Sequence, residues 1–238
     1  VMILDDYSRM IVGGKLFYQD NAANFQQLLR EAVATYGIPH KLYVDHGAPY
    51  SNEQLSFICG SVGTILLHTP VRDGASKGKV ERNFRTLKER WLYGIDISQI
   101  QSLEEFNRML AEYIRKHNTT IHSVTGQAPL ERYLATNERI RKPRDREWLE
   151  ECFHNRIIRR VNRDATVHFG GDVYDAPMQF IGQKMEVRYL PGDMQSAYIL
   201  YGGEHYPLRL TDRVANGQIR REKLVQIDYG REASKNVH

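Results

Sequence analysis

Cysteine is almost absent. The 238 residues hold two, Cys59 and Cys152, far apart and without a Cys-x-x-Cys step or a neighbouring histidine pair. That excludes a disulfide framework and a structural zinc site of the usual spacing, and makes a reducing cytoplasm the expected compartment. Long apolar runs are missing too: nothing approaches the ~20 residues that cross a bilayer as a helix, so no membrane role is expected. There is no internal repeat and no low-complexity segment. A strong excess of one charge is also lacking. Against 33 Lys and Arg stand 29 Asp and Glu, a formal +4, with a pI of about 9.0. That balance permits a polyanionic partner without demanding one. The first residues, Val1-Met2-Ile3-Leu4, have neither a start methionine nor a charged leader, so the opening reads as neither a signal peptide nor a natural beginning.

What is present is an ordinary globular composition, 41% hydrophobic and 26% charged, long enough for two domains. Val1 to Leu4 reads as the end of a buried strand, Asp5-Asp6-Tyr7-Ser8 as a turn, and Met10 to Tyr18 as the returning strand. Asp20 or Asn21 is placed to cap a helix whose positions Phe25, Leu28, Leu29, Ala32 and Val33 follow the i, i+3, i+4, i+7, i+8 pattern. Gly37 and Pro39 end it. A strand over 41–44 stops at Asp45-His46-Gly47, leaving a carboxylate at the C-terminal edge of a strand, the usual seat of chemistry in an α/β sheet. A short helix over 53–59, a strand over 64–68 and a polar loop over 72–78 follow, then long helices over 79–93 and 103–116.

From Arg139 to Arg163 the composition turns basic, which reads as a partly helical linker able to follow phosphates. Beyond Ile157 the alternation becomes β, broken by Gly170-Gly171, Pro191-Gly192-Asp193 and Gly202-Gly203, which predicts a five- or six-stranded barrel. The expected division is 1–137, mixed α/β; 138–156, basic helical linker; 157–229, small barrel; 230–238, disordered tail.

Asp45 and Glu81 are separated by 35 residues. Two such hard oxygen donors suit Mg²⁺ or Mn²⁺, and paired metals ~4 Å apart can drive in-line displacement at phosphorus. Alone, the pair is no signal, since any soluble chain has many solvated carboxylates. The helix around Glu81 adds context: Glu81, Arg85 and Lys88 share one stripe, while Phe84, Leu87 and Trp91 share another roughly 90° away. The stripe beside the acid is cationic and fits phosphates, with Lys77 and Lys79 extending it; the alternative is a set of helix-surface ion pairs.

Leu4-Asp5-Asp6-Tyr7-Ser8-Arg9, Val44-Asp45-His46-Gly47-Ala48-Pro49-Tyr50 and Gly74-Ala75-Ser76-Lys77-Gly78-Lys79-Val80-Glu81-Arg82 resemble three consecutive signatures of the integrase core of bacterial insertion-sequence transposases. Asn118 to Pro129 also resembles the segment that closes such cores, so the resemblance covers about residues 1–135. It implies an RNase H-like fold and a D,D-35-E triad whose second acid is similar to Asp45 and whose glutamate is similar to Glu81. It also implies DNA contacts by Lys77, Lys79, Arg85 and Lys88. The first acid of such a triad stands upstream of the match to Leu4. The two-metal site is therefore expected only with that residue, and these 238 residues alone are expected to be inactive. Asp5 and Asp6 read instead as turn-capping residues, and His46 as a solvated loop histidine or an aid to Asp45.

Arg160-Val161-Asn162-Arg163-Asp164 through Tyr174, with Ile181 to Tyr189, is similar to the small β-barrel that follows the core in transposases related to phage Mu. A generic SH3-like barrel is the alternative. The resemblance implies DNA-end binding or subunit contacts. Arg188, Arg209, Arg213, Arg220, Arg221 and Lys223 are available to DNA, and Arg141, Lys142 and Arg144 in the basic segment are better placed. The combined expectation is a transposase that nicks the 3′ ends of its element and joins them to target DNA, as a homo-oligomer on DNA. A hydrolytic RNase H-like nuclease and a non-catalytic DNA-binding descendant are the alternatives.

Overall fold

A computed structural model describes residues 1–45, 47, 53–68 and 74–212, without the side chains of 74–80 and 83. His46, Arg213, Arg220, Arg221, Lys223 and the tail over 230–238 lie outside the described residues.

The chain opens with a hairpin, β1 (Met2–Leu4) antiparallel to β2 (Ile11–Gly14). Its turn is built as the Asp-Asp-x-Ser composition suggests. Asp5 Oδ2 accepts from the Ser8 amide at 2.7 Å and from the Ser8 hydroxyl at 2.6 Å, while Arg9, at φ 68°, pairs with Asp6 Oδ1 at 2.9 Å. The returning strand is shorter than expected, and two side-chain amides pair with the main chain at its start and just beyond its end. Asn118 Oδ1 accepts from the Ile11 amide at 2.9 Å and its Nδ2 donates to the Ile11 carbonyl at 3.0 Å. Asn107 does the same for Leu16, at 2.8 and 3.1 Å. The N–H and C=O of a strand residue point to one side, so Ile11 turns away from β1 to meet Asn118.

Helix α1 (Ala22–Tyr36) buries the predicted stripe, with Asn21 Oδ1 accepting from the Asn24 amide at 2.9 Å as N-cap. Gly37 ends it at φ 103°. A Cβ there would meet Ile140 Cγ2 at 2.4 Å and the Arg141 carbonyl at 2.7 Å, so only glycine lets the later chain cross so closely. Then come β3 (Lys41–Val44), α2 (Glu53–Val62) and β4 (Ile65–His68), with β3 and β4 parallel and Val44 opposite His68. Helix α3 spans Gly74–Arg90, five residues earlier than the expected start at Lys79, so Lys77 and Lys79 lie on helix and not on a loop. Its first turns carry no apolar stripe to announce them. Helices α4 (Leu103–Thr119), α5 (Pro129–Leu134) and α6 (Arg146–Cys152) complete the region.

The basic segment expected as a linker is built into the fold. Leu149, Cys152 and Phe153 lie in one hydrophobic cluster with Phe25, Val33, Leu42, Val44, Leu55 and Ile58. Burial pushes the Cys59 thiol of this cluster up to about 11, so it packs as a protonated apolar group at neutral pH.

From Asn155 the chain is β-rich. Strands β5 (Asn155–Arg160), β6 (Thr166–Phe169), β7 (Asp172–Asp175), β8 (Lys184–Leu190), β9 (Asp193–Tyr201), β10 (Glu204–Pro207) and β11 (Arg209–Leu210) form two sheets, ordered β10-β9-β8-β5 and β11-β7-β6. The described residues thus contain seven strands where five or six were expected. The sheets enclose a second cluster built on Val161, Val167, Tyr174, Phe180, Val187 and Ile199.

Two joints hold this unit to the first. Gln54 of α2 accepts from the Arg156 amide at 2.7 Å and donates to the Arg156 carbonyl at 2.9 Å, on the edge of β5 away from β8. Glu151 of α6 accepts from Arg188 Nη1 at 2.5 Å and from the Tyr198 hydroxyl at 2.7 Å. The whole is mixed α/β with a β-rich C-terminal region, and no helix among the described residues is long and apolar enough to cross a membrane.

Candidate active site

Strand β3 alternates: Leu42 and Val44 are buried while Lys41, Tyr43 and then Asp45 are exposed. Asp45 therefore leaves the sheet at the C-terminal end of a parallel pair, where strand ends turn into loops and open to ligands. Its Oδ1 accepts from the Gly47 amide at 2.8 Å, a local turn that fixes the carboxylate's orientation without burying it.

Glu81 lies mid-helix on α3 and is exposed, as are Arg85 and Lys88 one and two turns on. Leu87 and Trp91 are half-buried, and Trp91 stacks on Phe106 and leans on Tyr113, with centroids 5.5 and 5.7 Å away. Phe84 lines an open cleft of about 300 Å³ with Val1, Phe17, Gln19 and Asp20. The helix is thus held by its aromatic face, and the acid and two cations stand on the other. Lys77 falls one turn before Glu81 on the helix and Lys79 half a turn before; their side chains are outside the described set.

The donor set of Asp45 and Glu81 is chemically right for a hard divalent cation, all oxygen and solvent-facing. Among the described residues, no group of three or more His, Cys, Asp or Glu is arranged to hold a metal.

The arginines expected at DNA divide. Arg141 is turned inward: it donates from Nη2 to the Pro39 carbonyl at 2.8 Å, its carbonyl takes the Ile38 amide, and its Nε is enclosed. Lys142 and Arg144 are exposed, with the Arg144 guanidinium 5.1 Å from the Trp148 ring. Arg188 is occupied as well, donating to Glu186 at 2.7 Å and to Glu151. For both inward arginines the reason is the same: a carbonyl or carboxylate within the fold needs a donor, and the guanidinium supplies several at fixed angles. Burial raises the Glu151 carboxyl, but the bonds from Tyr198 and Arg188 outweigh it and hold the group below its ordinary 4.5. Sequence reading missed Gln54, Asn107 and Asn118, whose partners lie far along the chain and leave no local pattern.

Residues 150–206 match the family described as Mu transposase, C-terminal. The chain is 26% identical over 225 residues to the transposase of transposon Tn552 of Staphylococcus aureus, covering 85% of this chain and 46% of that protein. It is 25% identical over 151 residues to the transposase of insertion sequence IS1202 of Streptococcus pneumoniae, covering 58% of this chain and 32% of that protein. The chain thus spans less than half the length of either curated relative. Among solved structures it is similar to the catalytic core domain of BIV integrase, with TM-score 0.48 and 17% identity over 58% of this chain and 86% of that one. Its sequence likenesses are thus to a Mu transposase C-terminal domain over residues 150–206 and, at 25–26% identity, to two transposases.

Proposed function

We propose that this chain supplies the integrase-type, RNase H-like core and the C-terminal barrel of a DNA transposase, which nicks the 3′ ends of its element and joins them to target DNA by metal-dependent nucleotidyl transfer. The observation that carries this is the likeness to a transposase over 85% of the chain. In this reading Asp45 and Glu81 are the acids that hold Mg²⁺ or Mn²⁺. A bound divalent cation would polarise the scissile phosphate and offset the charge that builds on its oxygens.

The chain's own residues do the rest. The Gly47 amide keeps the Asp45 carboxylate turned at the strand end. Arg85 and Lys88 share the exposed face of α3 with Glu81, so a phosphodiester drawn to them lies beside that acid. Lys77 and Lys79, on the turns before Glu81, and Lys142 and Arg144, on the exposed basic segment, extend the cationic surface; Arg141 does not join it. Two DNA ends must be held at once, which makes the working form an oligomer on DNA.

The test is an assay of the full-length protein with element-end DNA, a target plasmid and Mg²⁺, scored for covalent joining. Asp45→Asn and Glu81→Gln are each expected to lower joining at least 100-fold, the scale of losing a preorganised charge-stabilising group, with end binding retained. Joining that survives both substitutions would show the acids are wrongly assigned. Cleaved but never joined product would point to a nuclease.

A further inference from the structure

Glu81 stands on a helix with few anchors. Among the described side chains of α3 none is buried: Thr86 and Leu87 are half-buried, Phe84 is 36% exposed along the open cleft, and the others face water. The firm contact comes one residue past the helix. The Trp91 amide still donates to the Leu87 carbonyl at 3.0 Å, so Trp91 continues the helical path. Its ring stacks on Phe106 of α4, with centroids 5.5 Å apart and planes at 27°, and lies 5.7 Å from the Tyr113 ring. Phe106 and Tyr113 are about two helical turns apart, so one stripe of α4 presents both rings to the indole.

Helix α4 is in turn fastened to the N-terminal hairpin. Asn107 pairs with both main-chain groups of Leu16, and Asn118 with both of Ile11. Between them Ile114 packs so close to Gly14 that a Cβ there would come within 2.4 Å of its Cδ1, and the His117 ring reaches the Arg9 carbonyl at 3.2 Å. The two amides are about three turns apart, so α4 can neither roll nor slide without breaking bonds to the main chain. The platform under Trp91 is therefore fixed, and the end of α3 rests on it.

That end has leverage over the acid. Glu81 precedes Trp91 by ten residues, about 15 Å of helix at ~1.5 Å each. A swing of ~15° about Trp91 would carry Glu81 through about 4 Å. Misplacing a reacting group by only ~1 Å can cost about 100-fold in rate.

We propose that Trp91 is a positioning residue for Glu81: its stack on Phe106 and Tyr113 is the pivot that sets the direction of α3, and so the place of the acid. The position of Glu81 is then referred, through α4, to the N-terminal hairpin. The proposal rests on the reading of Glu81 as a working acid, but its geometry can be tested without metal or DNA.

The test is the distance between nitroxide labels on Arg82→Cys of α3 and Ala34→Cys of α1, measured by double electron–electron resonance in the 238-residue chain. Both positions are exposed, whereas Cys59 and Cys152 are buried and take no label. A second pair, Ala34→Cys with the exposed Glu112→Cys of α4, monitors the platform. Trp91→Ala should shift or widen the α3 distance by about 4 Å and leave the α4 distance as in the parent. Trp91→Phe, which keeps a ring to stack on Phe106, should restore the α3 distance, and Phe84→Ala should leave it unchanged. In the full-length protein Trp91→Ala should lower joining about 100-fold, and Trp91→Phe should recover most of it.

The proposal is overturned if Trp91→Ala leaves the α3 distance unmoved, or if the α4 distance changes with it. It is equally overturned if Phe84→Ala widens the α3 distance as much, or if Trp91→Phe joins DNA as poorly as Trp91→Ala. A widened α3 distance in Trp91→Ala alongside a Glu81→Gln protein that still joins DNA would reject the acid's role and leave the pivot standing.

Discussion

The two regions of this chain solve the problem of a buried sheet in opposite ways. Among the described residues the C-terminal unit has seven strands, two of them seven and nine residues long, in two sheets over a core of their own. The described N-terminal region has four strands of three or four residues in two separate pairs. Its core is closed by helices and by residues of the later chain, Leu149, Cys152, Phe153 and Leu190. Asp45 and Glu81 thus lie in the half whose core is completed by its neighbour.

If that dependence is real, the largest effect should come from the junction. Phe153, 1% exposed in the first cluster, stands between α6 and β5. Phe153→Ala should cost about 3–5 kcal/mol, the range for an aromatic side chain removed from a packed core. Urea unfolding of the parent chain should show one transition. Two separate transitions, with only one shifted by the substitution, would break the comparison by making the halves independent.

A smaller loss is expected at Asn118, which is 5% exposed and serves only the N-terminal hairpin. Asn118→Ala strands both polar groups of Ile11 and should cost about 2–6 kcal/mol, since each buried unsatisfied group costs ~1–3. Asn118→Asp keeps the acceptor alone and should fall between. Equal stability of all three proteins would mean that water replaces the amide at Ile11.

The smallest effect is a matter of pH at the second joint. Glu151 has its carboxyl held below the ordinary 4.5 in the folded chain, so its bonds to Arg188 and Tyr198 contribute fully above that value and are lost as pH falls through the lower folded one. Because Glu151 is more than a third exposed, screening makes the contribution modest. Stability measured from pH 6 down to about 2 should fall less steeply for Glu151→Gln than for the parent below pH ~4.5. Parallel curves would show that the joint is not held by charge.

Much of the fold was legible because it is local. Apolar spacing placed α1 and α4, Asn21 and Gly37 marked the ends of α1, and the strand over 41–44 is found at its expected bounds. The start of α3 was not legible, since Gly74 to Lys79 offers no apolar stripe and carries two glycines. Nor could charge counting tell Arg141 and Arg188, which turn into the fold, from Lys142 and Arg144, which face water. Composition registers a guanidinium but not its direction. Asp45 and Glu81 were singled out by family resemblance and the face of one helix; the structure adds that both are exposed and that Gly47 orients the first.

One device recurs at three places: Asn107 on Leu16, Asn118 on Ile11 and Gln54 on Arg156. A side-chain amide is a single peptide group on a stalk. It can satisfy the main chain of one residue but cannot continue a ladder. An exposed edge would otherwise be a template for any extended chain that drifted past, including another copy of this one. At Ile11, Leu16 and Arg156 the main chain is therefore already closed to such pairing.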